Sequence, residues 1–372
     1  MSAAIRSVDA FAATISPKTI WVFLRVVDAD GIEGWGEATL SGQEAGLSLA
    51  AARIGNALVG RPALPVDRPL ANSGVSHDDK PGAAIVSAID QALWDIAARR
   101  AGVPLHAILG NADRSEVAIY ANINRRTVDR SPQSFAASAR KAVADGYDTV
   151  KIAPFDEVNP GGPAEITVGV ARTRAVRDEI GPSRKLYVDC HWRFDEAGAK
   201  RAIDALSALG LDWFECPIPE VPASYAALSR LKAHANAAGA MLAGCETGTG
   251  LESFRPYIDA NLYDVLMPDV KYAGGLSEFR RIAAYAAESG VQVAPHNPTG
   301  PVSHVASLHL CAGLPGFTIL EHQYDESPAF FAMAAGTLSK PRLGKSELPV
   351  EVGLGISLDM SFLKPLGPAG QR

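Results

Sequence analysis

Eight short apolar runs recur along the last two-thirds of the chain, each followed by a stretch long enough for one helix. They are VAIYA from Val117, TVKIA from Thr149, LYVD from Leu186, WFE from Trp213, MLAGC from Met241, VLM from Val265, VQVA from Val291 and TIL from Thr318. Their starts lie 24 to 37 residues apart, the span of one strand plus one helix. The intervening segments read as amphipathic helices. SEFRRIAAYAAESG (Ser277 to Gly290) has a capping Ser, Glu278 in its first turn, Ile282 and Tyr285 on one face, and a terminating Gly. Eight such units predict an α/β chain whose parallel strands close into a barrel. The alternative, an open doubly wound sheet, usually carries a Gly-rich phosphate turn after its first strand, and ANINRR after Tyr120 is not one.

The residues before the repeats follow another pattern. TIWVFLRVVDADGIEGWGEAT reads as a hairpin turning at Asp28 to Gly31. AAIVSAIDQALWDIAARRAG (Ala83 to Gly102) reads as a helix with Ile85, Ile89, Leu93 and Ile96 on one stripe. Residues 1–113 are therefore expected to form an α+β domain and 114–326 the barrel. Residues 327–372 are Pro- and Gly-rich but too apolar in PVEVGLGISLD for a free tail, so they are expected to pack back on the first domain.

At 372 residues, 47% apolar and 20% charged, the chain has the profile of a water-soluble protein. A net charge of −6 without a basic block argues against nucleic acid as a partner. No apolar run reaches the ~18 residues of a membrane span, and MSAAIRSVDAFAATI lacks the pattern of an export signal. Cys190, Cys216, Cys245 and Cys311 show no CxxC spacing and read as reduced thiols of a cytoplasmic protein.

Catalytic groups of a β/α barrel sit at the C-terminal ends of its strands. Lys151, Asp189, Glu215, Glu246, Asp269, His296 and Glu321 end or follow seven consecutive runs, and His191 lies two residues beyond Asp189. Solvated strand ends would give a mixture of Ser, Asn, Gly and charge instead. If the strand continued, alternation would aim Asp189 and His191 the same way. Asp189, Glu215 and Glu246 come from adjacent strands, and three converging carboxylates repel one another unless a cation joins them. An all-oxygen set favours Mg2+, and the absence of His among the three argues against Zn2+.

Taken together, several motifs resemble the enolase superfamily, in its mandelate racemase/muconate lactonizing branch. They are GIEGWGEA (Gly31 to Ala38), AIDQALWDIAARRAGVPLHAILG (Ala88 to Gly110), WFECP, AGCET, VLMPDVKYAGGLSE and GLGISLD (Gly353 to Asp359), in this order over nearly the whole length. The resemblance implies a modified TIM barrel, (β/α)7β, under an α+β capping domain, with Mg2+ on Asp189, Glu215 and Glu246. It also implies removal of a proton α to a carboxylate, with the metal stabilising the resulting enediolate.

Branches of the family differ in their bases. Relatives with Lys-x-Lys on the second strand carry a second Lys where this chain has Ala153. The Lys that others place two residues before Gly-Gly is here Tyr272, with Lys271 one position off and expected to point away. The racemase-like pair remains: Asp269 orienting His296, the expected base. Asp189-Cys-His191-Trp-Arg193 resembles the pattern of aldonate dehydratases such as galactonate and mannonate dehydratases, in which the His protonates the departing β-hydroxyl. Lys151 and Glu321 would bind the substrate carboxylate.

Each role has a plainer competitor. His191 would merely hydrogen-bond a metal ligand, Lys151 would be a structural ion pair, and Glu321 would pack the rim. Arg193 reads as a surface ion pair, and Asn297 as a turn residue or a substrate contact. His77, His106, His234, His304, His309 and His322 have no assigned partner. Two cap segments, Ala13 to Ile20 and Ala38 to Gly46, are expected as loops over the site; the first lacks an Arg, which favours a monocarboxylic acid. The leading expectation is an Mg2+-dependent sugar-acid dehydratase acting on a small carboxylate, assembled as a homo-oligomer. An isomerase on the same scaffold and a non-catalytic barrel are the alternatives.

Overall fold

Thr19 to Asp28 carries β-branched, aromatic and aliphatic residues in close succession, and it forms the middle of a sheet covered on both faces. In the computed structural model, which describes residues 3–76, 78–110, 114–156, 163–334 and 338–367, β1 (Ile5–Ser16), β2 (Thr19–Asp28) and β3 (Glu33–Glu37) run antiparallel. The β2–β3 turn falls where the sequence places it. Asp28 Oδ1 accepts from the N–H groups of Asp30 (3.0 Å) and Ile32 (2.9 Å), and Gly31 takes φ 86°, a conformation that favours glycine. Ala13 to Ile20 is not a loop. It belongs to a β1–β2 hairpin turned at Pro17 and Lys18, and its tip is pinned by Glu326, which accepts from Ser16 Oγ at 3.1 Å and pairs with Arg125 at 3.3 Å.

Helices α1 (Glu44–Leu58) and α3 (Lys80–Ala101) cover this sheet, and the short α2 (Pro69–Ser73) packs against α3. Asp79 caps α3 by accepting from the Gly82 N–H at 2.9 Å. A Cβ on Gly36 would lie 1.8 Å from the Ala88 carbonyl oxygen, so GWGEA is glycine-rich because α3 rests directly on the β3 backbone. Three polar residues of α3 are buried as couplers. Gln91 exchanges hydrogen bonds with the Glu37 backbone, Asp90 accepts from Ser277 Oγ (2.6 Å) and N–H (3.0 Å), and Asp95 accepts from the N–H groups of Trp35 and Leu354.

After α4 (Leu105–Leu109), the expected runs form β4 (Glu116–Asn122), β5 (Thr149–Ile152), β6 (Lys185–Asp189), β7 (Trp213–Glu215), β8 (Met241–Gly244), β9 (Val265–Leu266), β10 (Gln292–Val293) and β11 (Leu320–Gln323). Seven helices connect them: α5 (Pro132–Ala144), α6 (Pro163–Ile180), α7 (Glu196–Ser207), α8 (Tyr225–Ala237), α9 (Leu251–Asp259), α10 (Gly275–Glu288) and α11 (Pro301–Cys311). All neighbouring pairs are parallel, β11 returns to β4, and a bridge from Val293 to Phe317 closes the ring. This is a (β/α)7β barrel, and closure excludes the open sheet. Helix α10 starts at Gly275, earlier than the sequence indicates. Ser277 does not cap it but bonds Asp90 and accepts from Trp94 Nε1 at 2.8 Å, tying barrel to cap.

Tyr120, Tyr187, Trp213, Val265, Met267 and neighbours fill the barrel interior. Tyr187 and Trp213 are register partners and stack at 4.0 Å between centroids. Because side chains alternate, the next inward positions are Asp189 and Glu215, so a polar layer lies directly above an aromatic floor. The segment after Glu326 touches both units. Lys345–Glu347 pairs with β4, Lys364–Pro365 pairs with β1, and Leu354 reaches Asp95. The stretch 111–113, where the first domain is expected to end, lies outside the described residues. No helix among the described residues is long and apolar enough to cross a membrane.

Candidate active site

Asp189 and Glu215 are adjacent in register at the ends of β6 and β7, whereas Glu246 lies two residues beyond β8. The chain turns left-handed at these strand ends: φ is 45° at His191, 56° at Trp192, 45° at Cys216 and 67° at Cys245. Non-glycine residues held there cost about 1–3 kcal/mol each, and such strain collects at functional sites. One half-buried carboxylate, Glu220, gathers the turns. Its Oε1 accepts from the Cys245 N–H (2.6 Å) and Tyr263 Oη (2.8 Å), with Cys216 Sγ 4.0 Å away, and Trp192 also hydrogen-bonds its side chain. The result brings ligand oxygens of Asp189, Glu215 and Glu246 within 4.8 Å of one another, all three side chains buried.

Burial, followed by the charge of Asp189, pushes the Glu246 carboxyl up to about 8 and that of Glu215 well above the carboxylate range. Oε2 of Glu246 is buried without a hydrogen-bond donor. Three crowded carboxyls, one with an unused buried oxygen, fit a hard divalent cation, which would supply the missing charge.

Lys151 enters from β5 and is fully buried. Its Nζ lies 2.7 Å from Glu215 Oε1, 2.9 Å from Glu321 Oε1 and 3.9 Å from Asp189 Oδ2. Burial disfavours its charge, but Glu215 and Glu321 hold the ammonium protonated well above its ordinary range. Glu321 also accepts from Asn122 Nδ2 (2.6 Å) and the Asn297 N–H (2.8 Å). Asn297 is buried and donates to the Glu321 carbonyl (2.9 Å), so it braces the rim.

Asp269 Oδ2 bonds His296 Nδ1 at 2.8 Å, the dyad expected from the sequence. The same oxygen takes Lys271 Nζ at 2.6 Å, and Lys271 is 3% exposed. Lys271 therefore points into the site, not away from it. Past β9 the chain has left the strand and coils, so alternation no longer sets its direction. Burial opposes ionisation of Asp269, yet the Lys271 ammonium and His296 hold its carboxyl down at about 2. Tyr272 Oη lies 3.2 Å from His296 Nδ1, and His296 Nε2 lies 3.5 Å from Glu246 Oε2, facing the carboxylates.

Across the cluster, His191 Nε2 is 2.9 Å from Asp189 Oδ2 and its Nδ1 is 2.7 Å from Asp156 Oδ1. It reaches this place through a left-handed turn, because β6 stops at Asp189. Burial opposes protonation, but Asp189 and Asp156 raise its value well above the ordinary one.

The remaining predicted positions lie elsewhere. Arg193 is 3.7 Å from Asp156, and His234 pairs with Asp204 at 2.7 Å on the surface. His304, His309 and His322 are buried among aromatic and apolar side chains, and His106 meets His309 at 3.1 Å between Nδ1 atoms. His77 lies outside the described residues. Sequence reasoning missed Asp156, Glu220, the inward turn of Lys271, and Lys80. Lys80 leads α3 and donates to the Thr247 carbonyl, beside Glu246, and burial brings its ammonium down to about 8. A lysine at a helix start carries no sequence signal for such a reach.

A closed parallel barrel under an α+β cap, with a buried carboxylate triad and two flanking imidazoles at its rim, is the architecture that comparison with known proteins identifies. Residues 134–362 match the family model described as enolase C-terminal domain-like, and residues 5–110 match the mandelate racemase/muconate lactonizing enzyme N-terminal domain. The chain belongs to the enolase superfamily, in that branch. It is 28% identical to the D-galactonate dehydratase of Ralstonia pickettii (strain 12J), over 92% of this chain and 90% of that one. It is also 28% identical to the D-xylonate dehydratase of Haloferax volcanii, over 92% and 84%. The solved mandelate racemase/muconate lactonizing enzyme from Jannaschia sp. CCS1 superposes with a TM-score of 0.83 at 27% identity, covering 96% of each chain.

Proposed function

We propose that the protein is a Mg2+-dependent hydro-lyase that dehydrates a sugar acid to a 2-keto-3-deoxy acid. The observation that carries this reading is the placement of two imidazoles around one carboxylate cluster, His296 beside Glu246 and His191 beside Asp189. Asp189, Glu215 and Glu246 would hold the cation, whose chemistry there is Lewis-acid stabilisation of charge developing on the substrate carboxylate. Lys151 adds a fixed positive charge beneath the same group, and Glu321 holds Lys151 in place.

Asp269 accepts from Nδ1 of His296, which leaves Nε2 as the base that takes the α-proton. His191 carries a proton between Asp189 and Asp156 and delivers it to the β-hydroxyl, which leaves as water. The enol that remains gains a proton at the β-carbon, loses its hydroxyl proton and becomes the 2-keto-3-deoxy acid. The dehydratases among its relatives support this outcome over isomerisation. So does Ala153, which leaves the second-strand base position without a titratable group.

The test is a sugar-acid library screened for 2-keto-3-deoxy product, with Mg2+ and after exhaustive chelation. Product is expected only with the metal, and Glu215→Gln should abolish it. Racemised or epimerised acid in place of the keto product would replace this reading with an isomerase, and full activity after chelation would remove the metal from it.

A further inference from the structure

Three lysines approach the barrel rim, and two of them are neutralised. Lys151 pairs with Glu215 and Glu321, and Lys271 pairs with Asp269. Lys80 differs. It belongs to the cap, and its Nζ donates to the carbonyl of Thr247 and lies 3.9 Å from the ring centroid of Tyr272. That ring's hydroxyl is the group 3.2 Å from His296 Nδ1. Among the described residues, no carboxylate lies within ion-pair distance of Lys80.

An ammonium has three donor hydrogens, and one backbone carbonyl satisfies only one of them. Asp269, Glu246 and Glu220 act on this cation only from beyond ion-pair distance, burial still lowers its charge preference, and a π-face compensates only in part. The nearest acidic side chains are already engaged. Asp269 holds Lys271 and His296, and Glu246 belongs to the carboxylate triad. A direct anionic partner for Lys80 is therefore one that a ligand could supply. On the dehydratase reading the reacting carboxylate would lie over the triad and Lys151 with its α-carbon toward His296, and Lys80 would meet the far end from the cap side, over the Tyr272 ring.

We propose that Lys80 is a specificity-determining residue that pairs with a second carboxylate at the far end of the substrate, so that the preferred substrates are sugar diacids. This rests on the dehydratase reading above, and it reverses the expectation of a monocarboxylic acid drawn from the Arg-free hairpin. The cation comes instead from the first residue of α3.

The experiment compares kcat/KM for matched six-carbon diacids and monoacids in the parent, Lys80→Met, Lys80→Gln and Lys80→Arg. The parent should prefer diacids by ~10-fold or more. Met and Gln should lower the diacid-to-monoacid ratio by ~10–100-fold, as expected for loss of a partly desolvated charge pair, and Arg should keep most of it. If Lys80 merely latches the cap to the rim, both substrate classes fall together and the ratio stays fixed, which overturns the inference. Monoacid preference in the parent overturns it too. Either result leaves the dehydratase reading standing, whereas no keto product from either class removes both. Should Lys80→Met fail to fold, Lys80→Gln and Lys80→Arg supply the ratio.

Discussion

His191 illustrates how a correct neighbourhood can be reached by an incorrect route. Alternation along β6 places it beside Asp189 on paper, but the strand ends at Asp189, and a left-handed turn sets its direction. Contact with Asp189 survives because Asp156, 35 residues away, catches the other ring nitrogen. If His191 is the general acid, His191→Asn should slow dehydration by ~10²–10⁴. Exchange of the α-proton with solvent deuterium should persist, since His296 is untouched. The two rates, followed by NMR in D2O on one substrate, separate the roles, and dehydration within a few-fold of the parent would reduce His191 to a bracket for Asp189. Lys271 marks the opposite failure. Its neighbours in sequence gave the right family motif, but the coil after β9 erased the periodicity on which a direction could be based.

At the scale of elements, the strand starts were legible because apolar runs of strand length recur at the spacing of a β/α unit. What was not legible is how the elements are tied. Glu37 sits in GWGEA, a motif recognisable at once, yet its work lies 262 residues downstream. It accepts from Thr299 Oγ1 (2.6 Å) and from the N–H groups of Gly300 (2.8 Å) and Ser303 (3.0 Å), capping α11 just after the loop that bears His296. Glu220 does the same for the other side of the rim, gathering the ends of β6, β7 and β8. Glu220→Ala would orphan the Cys245 N–H and the Tyr263 hydroxyl and free the left-handed turn that presents Glu246. Divalent-cation affinity should fall by ~10–100-fold, the usual loss when a group that orients a metal ligand is removed. Titration of Mn2+ into the substrate-free protein reads this directly, and unchanged affinity would show that Glu246 holds its place alone.

For the whole molecule, α3 is the spine on which cap, barrel and C-terminal segment meet, through Asp90, Gln91 and Asp95. The apolar stripe of this helix was readable; its buried acids were not, because their partners lie on other elements. Burial pushes the Asp90 carboxyl up from 3.8 to about 7. An acid whose folded value is raised keeps its proton longer when folded than when unfolded. Its contribution is therefore full below pH 3.8 and is lost as pH rises toward 7. Asp90→Asn abolishes this titration, so its urea midpoint should vary less between pH 4 and 7 than that of the parent. Equal slopes for the two proteins would mean that Asp90 ionises normally in the folded state.

The long reach of these ties also fixes the order in which the chain can assemble. The cap is synthesised before the barrel, and its hairpins are local enough to form early. Its docking partners, Ser277, Thr299 and Leu354, lie 187 to 262 residues further on, and its first strand is completed by Lys364 and Pro365. Most of the barrel must emerge from the ribosome before the underside of the cap has anything to rest on. Seating the cap is therefore a late folding event, and until then the buried acids of α3 and the apolar face around them stay open to chaperones and to misassociation.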